Sequence, residues 1–118
     1  HAPHSQEEKS KGLKDSAFGI SGLEIAFPLM FTHFVKENKI PVEKLVQLMS
    51  INPRRIMGLK PYAIGEDADL AVFNIIANYT IDAEKFISMG KSTPFNKHKV
   101  ETECVGTLIK EEFVYRTF

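Results

Sequence analysis

Two histidines open the chain three residues apart, His1 and His4, with the rigid Pro3 between them. That spacing can present both imidazoles to one site, and imidazole suits both metal ligation and proton transfer near neutrality. On spacing alone the pair reads first as two solvated rings, because structural zinc takes four protein ligands and catalytic zinc three. Phe18-Gly19 is the second candidate. A glycine between an aromatic residue and a helix start lets the backbone approach a ligand closely and leaves N–H groups free to bind it; the same residues also serve as a plain loop-to-helix joint. Other residues carry less. His33 falls in a helical apolar run and reads as packed or at an edge, and His98, between Lys97 and Lys99, reads as exposed. Cys104 has no His or basic neighbour to activate its thiol and reads as a small buried hydrophobe. Arg54 and Arg55 could bind an anion, but two exposed arginines on a short helix are common.

The elements that must position these residues follow from periodicity. Ser5 to Asp15 is polar, of mixed charge and without an apolar repeat, so it reads as an exposed loop with room for a helical turn. Ser21 and Glu24 stand at capping-box spacing and predict a helix start. Leu23, Phe27, Met30, Phe31 and Phe34 then form an apolar stripe, predicting a helix to about Asn38 with a bend at Pro28. Pro41 in a first turn, with Val42, Leu45, Val46, Leu48 and Met49, predicts a second helix. Asn52 as N-cap, Pro53 at the first helical position and Gly58 as left-handed C-cap predict a third, short one.

Near residues 60–65 the period changes from helical to extended. Asp69–Phe73 predicts a strand, residues 82–86 a helical turn or connector, and residues 90–96 a loop. Within residues 99–118, alternation around Val100, Thr102 and Cys104, then Phe113-Val114-Tyr115, predicts a hairpin. Its turn lacks Asn-Gly or Asp-Gly.

The 118 residues are 43% hydrophobic and 25% charged, with 15 basic against 15 acidic side chains, as in an ordinary globular domain. A net charge of zero disfavours nucleic-acid and anionic-membrane partners. The longest apolar stretch, residues 25–35, is too short for the roughly 20 residues of a membrane span. A single cysteine fits a reducing compartment, hence the cytoplasm. The chain begins at His1 rather than Met, without signal-peptide composition, so a fragment or trimmed chain is expected.

Taken in order, His1-Ala2-Pro3-His4, Gln6-Glu7-Glu8-Lys9, Phe18-Gly19-Ile20-Ser21-Gly22-Leu23-Glu24 and Phe27-Pro28-Leu29 closely resemble the segment after the last barrel strand of type I dihydroorotases. The likeness continues through residues 52–59 (NPRRIMGL), 68–73 (ADLAVF) and 90–95 (GKSTPF), nearly end to end. Several motifs in order identify a cyclic amidohydrolase, and the first and third favour dihydroorotase over hydantoinase.

The resemblance implies an α/β fold: the C-terminal part of a (β/α)8 barrel, contributing the last active-site loop and outer helices over residues 1–60, followed by the C-terminal share of a small β-sandwich over residues 61–118. It implies zinc-dependent, reversible cyclisation of N-carbamoyl-L-aspartate to dihydroorotate. Zinc-bound hydroxide attacks the ring carbonyl in the hydrolytic direction, and an Asp shuttles the proton. That Asp would immediately precede His1, and the metal ligands would lie on earlier strands, so the chain alone is expected to be inactive. Carried over by position, His4 would contact the substrate at its carboxylate, and Phe18 and Gly19 would border it through backbone groups. His1 receives no metal role. Ala17 replaces a frequent Pro, and Lys110-Glu111 an Asp-Gly-like turn. The implied partners are the small-molecule substrate, the rest of the same polypeptide, a second copy of the parent protein, and aspartate transcarbamoylase. The alternatives are a hydantoinase- or allantoinase-like cyclic amidase and a non-catalytic scaffold subunit.

Overall fold

The computed structural model describes residues 4–118, so His1 of the paired histidines lies outside the described residues. The chain divides into two units: residues 4–26 with Thr80–Lys99, and Phe27–Tyr79 with Val100–Phe118. The architecture is α/β.

In the first unit the polar stretch is more ordered than its composition predicts, forming two single-turn helices, α1 (Gln6–Lys9) and α2 (Gly12–Asp15). Composition misses them because neither buries a residue, and α1 is held by its cap instead. The Ser5 hydroxyl accepts the Glu8 N–H at 3.2 Å, and the Glu8 carboxylate accepts the Ser5 N–H at 2.7 Å. This is a capping box.

The box expected at Ser21 and Glu24 does not form. Gly22 caps a 3-10 turn, Leu23–Ile25, and Glu24 turns to the 80s stretch, accepting the N–H groups of Ile87 and Ser88. Ser21 is buried and donates its backbone N–H to the Ser92 carbonyl at 2.7 Å. The turn expected at residues 82–86 is a 3-10 turn, Ala83–Lys85, whose Asp82 cap accepts the Glu84 N–H. Residues 90–93 carry no regular element and a turn follows them, in keeping with the loop reading.

The second unit opens with helix α3 (Ala26–Met30), which widens into a π-helical segment, Phe31–Lys36. Pro28 lies in the first turn of α3, so the irregularity expected there is spread over a 3-10-to-α change before it and an α-to-π change after it. Asn38 ends the helix at φ 56°, with Lys39 N–H on the Phe34 carbonyl and Asn38 N–H on that of Val35, a Schellman closure.

Pro41 is the N-cap of α4 (Val42–Val46) rather than a first-turn residue. A π-helical segment, Gln47–Ile51, then runs into α5 (Asn52–Ile56) without a break. Asn52 is itself helical, at φ −67° and ψ −47°, and makes no side-chain cap, so the expected restart is a continuation. Pro53 has no N–H to donate, and the widened turn before it accommodates that loss. Gly58 at φ 68° closes the helix as expected, with Leu59 N–H on Arg54 and Gly58 N–H on Arg55.

Burial revises the predicted stripe. Phe31 is 4% exposed, but Leu23 is 93% exposed and Met30 and Phe34 are also open; Ile25, Pro28 and Leu29 are the buried neighbours. In α4 only Leu45 is buried. These helices carry more apolar surface than the chain itself covers.

Three antiparallel strands follow in the order β1 (Leu70–Asn74), β4 (Glu103–Ile109), β5 (Glu112–Arg116), while β2 (Tyr79–Thr80) pairs with β3 (Lys99–Val100). The predicted hairpin is therefore β4–β5, and residues 99–104 do not make one continuous strand with it. Leu70 pairs with Leu108 and Phe73 with Cys104, across a bulge between Val72 and Phe73. Helix and sheet meet where the Phe27 ring stacks on Phe73 with centroids 4.0 Å apart. The Glu101 N–H donates to the Thr32 hydroxyl at 2.9 Å. Cys104 is half-buried. Lys110 and Glu111 both have positive φ, 49° and 68°, the signature of a type I′ turn formed without Asn or Gly.

Candidate functional site

Residues 4–21 fold back on themselves around Lys9. The Ser5–Glu8 box starts α1, the Ala17 N–H donates to the Glu8 carbonyl at 3.0 Å, and the Ser16 hydroxyl to the Lys9 carbonyl at 3.0 Å. Lys9 Nζ then donates to the Ala17 and Gly19 carbonyls, both at 2.6 Å. Gly19 has φ 92°, a conformation that a side chain disfavours, which is why glycine stands there.

This folding brings His4 and Gly19 to one shallow, open concavity, lined also by Lys9, Ile20, Ser21, Gly90 and Ser92. Its cavity volume is about 10 Å³, room for about one water, where complete small-molecule sites span roughly 300–1,000 Å³, so the concavity is one wall of a site rather than a whole one. Phe18 does not line it, and its side chain is 88% exposed. The His4 Nδ1 lies 3.8 Å from a Glu8 carboxylate oxygen. Bonds from the Ser5 N–H and hydroxyl, with His4 adding its charge, hold the Glu8 carboxyl below its ordinary value.

The zinc implied by the resemblance has no ligand set here: among the described residues no three His, Cys, Asp or Glu side chains gather where they could hold a metal ion. Metal chemistry is therefore not assigned to these residues. His33 pairs with Glu37 at 3.3 Å on an exposed face. His98 is exposed and meets the Phe95 ring edge-on. Among the described residues no helix is long and apolar enough to cross a membrane.

Two contributions are not evident from sequence. Lys9 is signalled there only by its place after the Ser5-x-x-Glu8 box. Gly90 and Ser92 lie in the GKSTPF motif, which periodicity marks as a loop without assigning it to a site.

The fold has close counterparts. The chain is similar to the L-hydantoinase (dihydropyrimidinase) from Arthrobacter aurescens, with a TM-score of 0.85 and 31% identity, over 93% of this chain and 26% of that one. It also shares its fold with the D-hydantoinase (dihydropyrimidinase) from a Thermus species, with a TM-score of 0.87 at 21% identity, over 98% of this chain and 27% of that one. What these two structures define is the fold the chain shares with parts of two hydantoinases.

In sequence the chain is similar, over nearly its whole length, to part of two dihydroorotases. It is 47% identical over 119 residues to the dihydroorotase of Bacillus caldolyticus, covering 95% of this chain, and 38% identical over 118 residues to that of Geobacillus sp. (strain WCH70), covering 98%. It spans 28% of the length of each relative. No family model matches the chain.

Proposed function

We propose that the chain is the C-terminal segment of a zinc-dependent dihydroorotase that interconverts N-carbamoyl-L-aspartate and dihydroorotate in pyrimidine synthesis. The observation that carries this reading is the 47% identity to a dihydroorotase across 95% of the chain. On this reading residues 1–60 are the last active-site loop and outer helices of a (β/α)8 barrel, where chemistry gathers at the loops after the strands. Residues 61–118 are a share of a β-sandwich.

His4 contacts the substrate, at its carboxylate, and the Phe18-Gly19 backbone borders it. That assignment is supported by the shared concavity of His4 and Gly19, and exposure of the Phe18 side chain agrees with a contact made through backbone. The proton-shuttling Asp immediately precedes His1, and the zinc ligands belong to the rest of the polypeptide. The segment alone is therefore inactive. Homodimerisation, association with aspartate transcarbamoylase and a cytoplasmic location belong to the same reading.

The test is to assay the full-length protein with zinc on dihydroorotate and on hydantoin, beside the 118-residue chain alone. Hydrolysis of dihydroorotate by the full-length protein only is expected. Preference for hydantoin would transfer the protein to the hydantoinases, which the structural likeness at 31% identity also supports. Inactivity on both would point to a scaffold subunit, and zinc-dependent activity of the short chain would overturn the assignment of the missing groups.

A further inference from the structure

The stretch between His4 and Gly19 is organised by one cation. An ammonium offers three donors and no acceptor, and hydrogen bonds from a charged donor are stronger than neutral ones. Lys9 Nζ directs two of them, each 2.6 Å long, to the carbonyls on either side of Phe18. Its own backbone is tied in turn, with its N–H on the Ser5 carbonyl at 3.2 Å and its carbonyl accepting the Ser16 hydroxyl at 3.0 Å. Gly19 is a permissive backbone position at φ 92°, and the exposed Phe18 supplies little packing to restrain it. The same lysine lines the concavity with His4 and Gly19.

We propose that Lys9 is a positioning residue: by binding the Ala17 and Gly19 carbonyls it fixes the Phe18-Gly19 backbone against the substrate side of the concavity, in register with His4. The reaction affected rests on the dihydroorotase reading, whereas the local order does not. Loss of the ammonium frees both carbonyls, so the bound geometry must be recovered from a mobile loop at each substrate encounter. Such a cost falls on binding more than on the chemical step.

The experiment compares full-length wild type with Lys9→Met, Lys9→Gln and Lys9→Arg by amide hydrogen exchange and by dihydroorotate kinetics. For Lys9→Met the expected result is about tenfold faster exchange confined to the hydrogen-bonded amides flanking the loop, Ala17 and Ser21, with KM up about tenfold and kcat changed less than about twofold. Lys9→Arg should recover part of both effects, and Lys9→Gln, which keeps a donor, should fall between Lys9→Arg and Lys9→Met, serving also as the reading if the Met variant does not fold. Unchanged exchange at Ala17 and Ser21, or faster exchange throughout the protein with a loss of kcat, would overturn the proposal. If wild type does not hydrolyse dihydroorotate, the functional reading fails by itself and the exchange pattern alone decides the role of Lys9.

Discussion

The Glu24 carboxylate accepts the backbone N–H of Ile87 at 3.0 Å and, through its other oxygen, that of Ser88 at 2.9 Å, joining two stretches of chain more than sixty residues apart. Both donors belong to a segment without a strand ladder, so the carboxylate serves as their acceptor. Glu24→Ala should destabilise the full-length protein by about 1.5 kcal/mol, the low end for bonds to a charged acceptor because the pair is exposed. Glu24→Gln should lose less, since its amide keeps one acceptor oxygen. Denaturant titration measures both, and equal stability of Glu24→Ala and wild type would show that the two bonds contribute nothing.

The same residue marks what was legible in the sequence. Ser5-x-x-Glu8 and Ser21-x-x-Glu24 are identical patterns, yet the first closes as a capping box and the second is diverted, because Ile87 and Ser88 offer Glu24 donors that no local pattern reveals. Helix closures at Asn38 and Gly58 and the strand β1 were readable, being set by residue type and short-range spacing. The buried faces of α3 and α4 were not. An apolar stripe says that a face needs covering but not by what, and Leu23, Met30 and Phe34 remain open where Ile25 and Leu29 are covered. At the candidate site, His4, Phe18 and Gly19 were named from motif, whereas the bridge from Lys9 to the Ala17 and Gly19 carbonyls arises only once the loop has closed.

On the proposed dihydroorotase reading, His4→Ala should lower kcat/KM of the full-length protein for dihydroorotate by about ten- to a hundredfold, the equivalent of one hydrogen bond to a charged group. Because an imidazole that holds the substrate carboxylate does so equally in the ground and transition states, its removal should raise KM and leave kcat nearly unchanged. Steady-state kinetics with unaltered KM and kcat would remove His4 from the substrate wall.

Glu8 makes the α1 cap sensitive to acid. Its folded-state carboxyl is depressed first by the Ser5 N–H, then by the Ser5 hydroxyl and the charge of His4. The contribution of its ionised form to local stability is therefore complete above the unfolded carboxylate value and is lost as pH falls through the lower folded value. Following the Ser5 and Glu8 amide signals by NMR should show α1 fraying over that acid range, and Glu8→Gln should flatten the response. A wild-type cap indifferent to acid would contradict the linkage.

The Lys110-Glu111 turn holds two side-chain-bearing residues at positive φ, with the Lys110 N–H on the Asp69 carboxylate at 3.1 Å and the Glu111 N–H on the Ala68 carbonyl at 3.4 Å. Those backbone donors survive substitution. Replacing the pair by Asn-Gly, the favoured type I′ sequence, should stabilise the full-length protein by about 1 kcal/mol. Thermal unfolding of the double variant at or below wild type would mean that the turn carries no such strain.

Strand β5 is an edge strand exposed along its whole length, and Phe113, Val114 and Tyr115 lie open on it. Added to the uncovered faces of α3 and α4, this is more apolar surface and free strand edge than a stable monomer ordinarily presents. If the segment is built to be covered by the rest of its polypeptide, the isolated 118-residue chain should associate in a concentration-dependent way in sedimentation. Val114→Lys should reduce that association by placing a charge on the edge strand, while in the full-length protein the same change should cost stability, because there the position is covered. A well-folded monomer at all concentrations would show that the chain satisfies its own surfaces, and would count against its being one part of a larger fold.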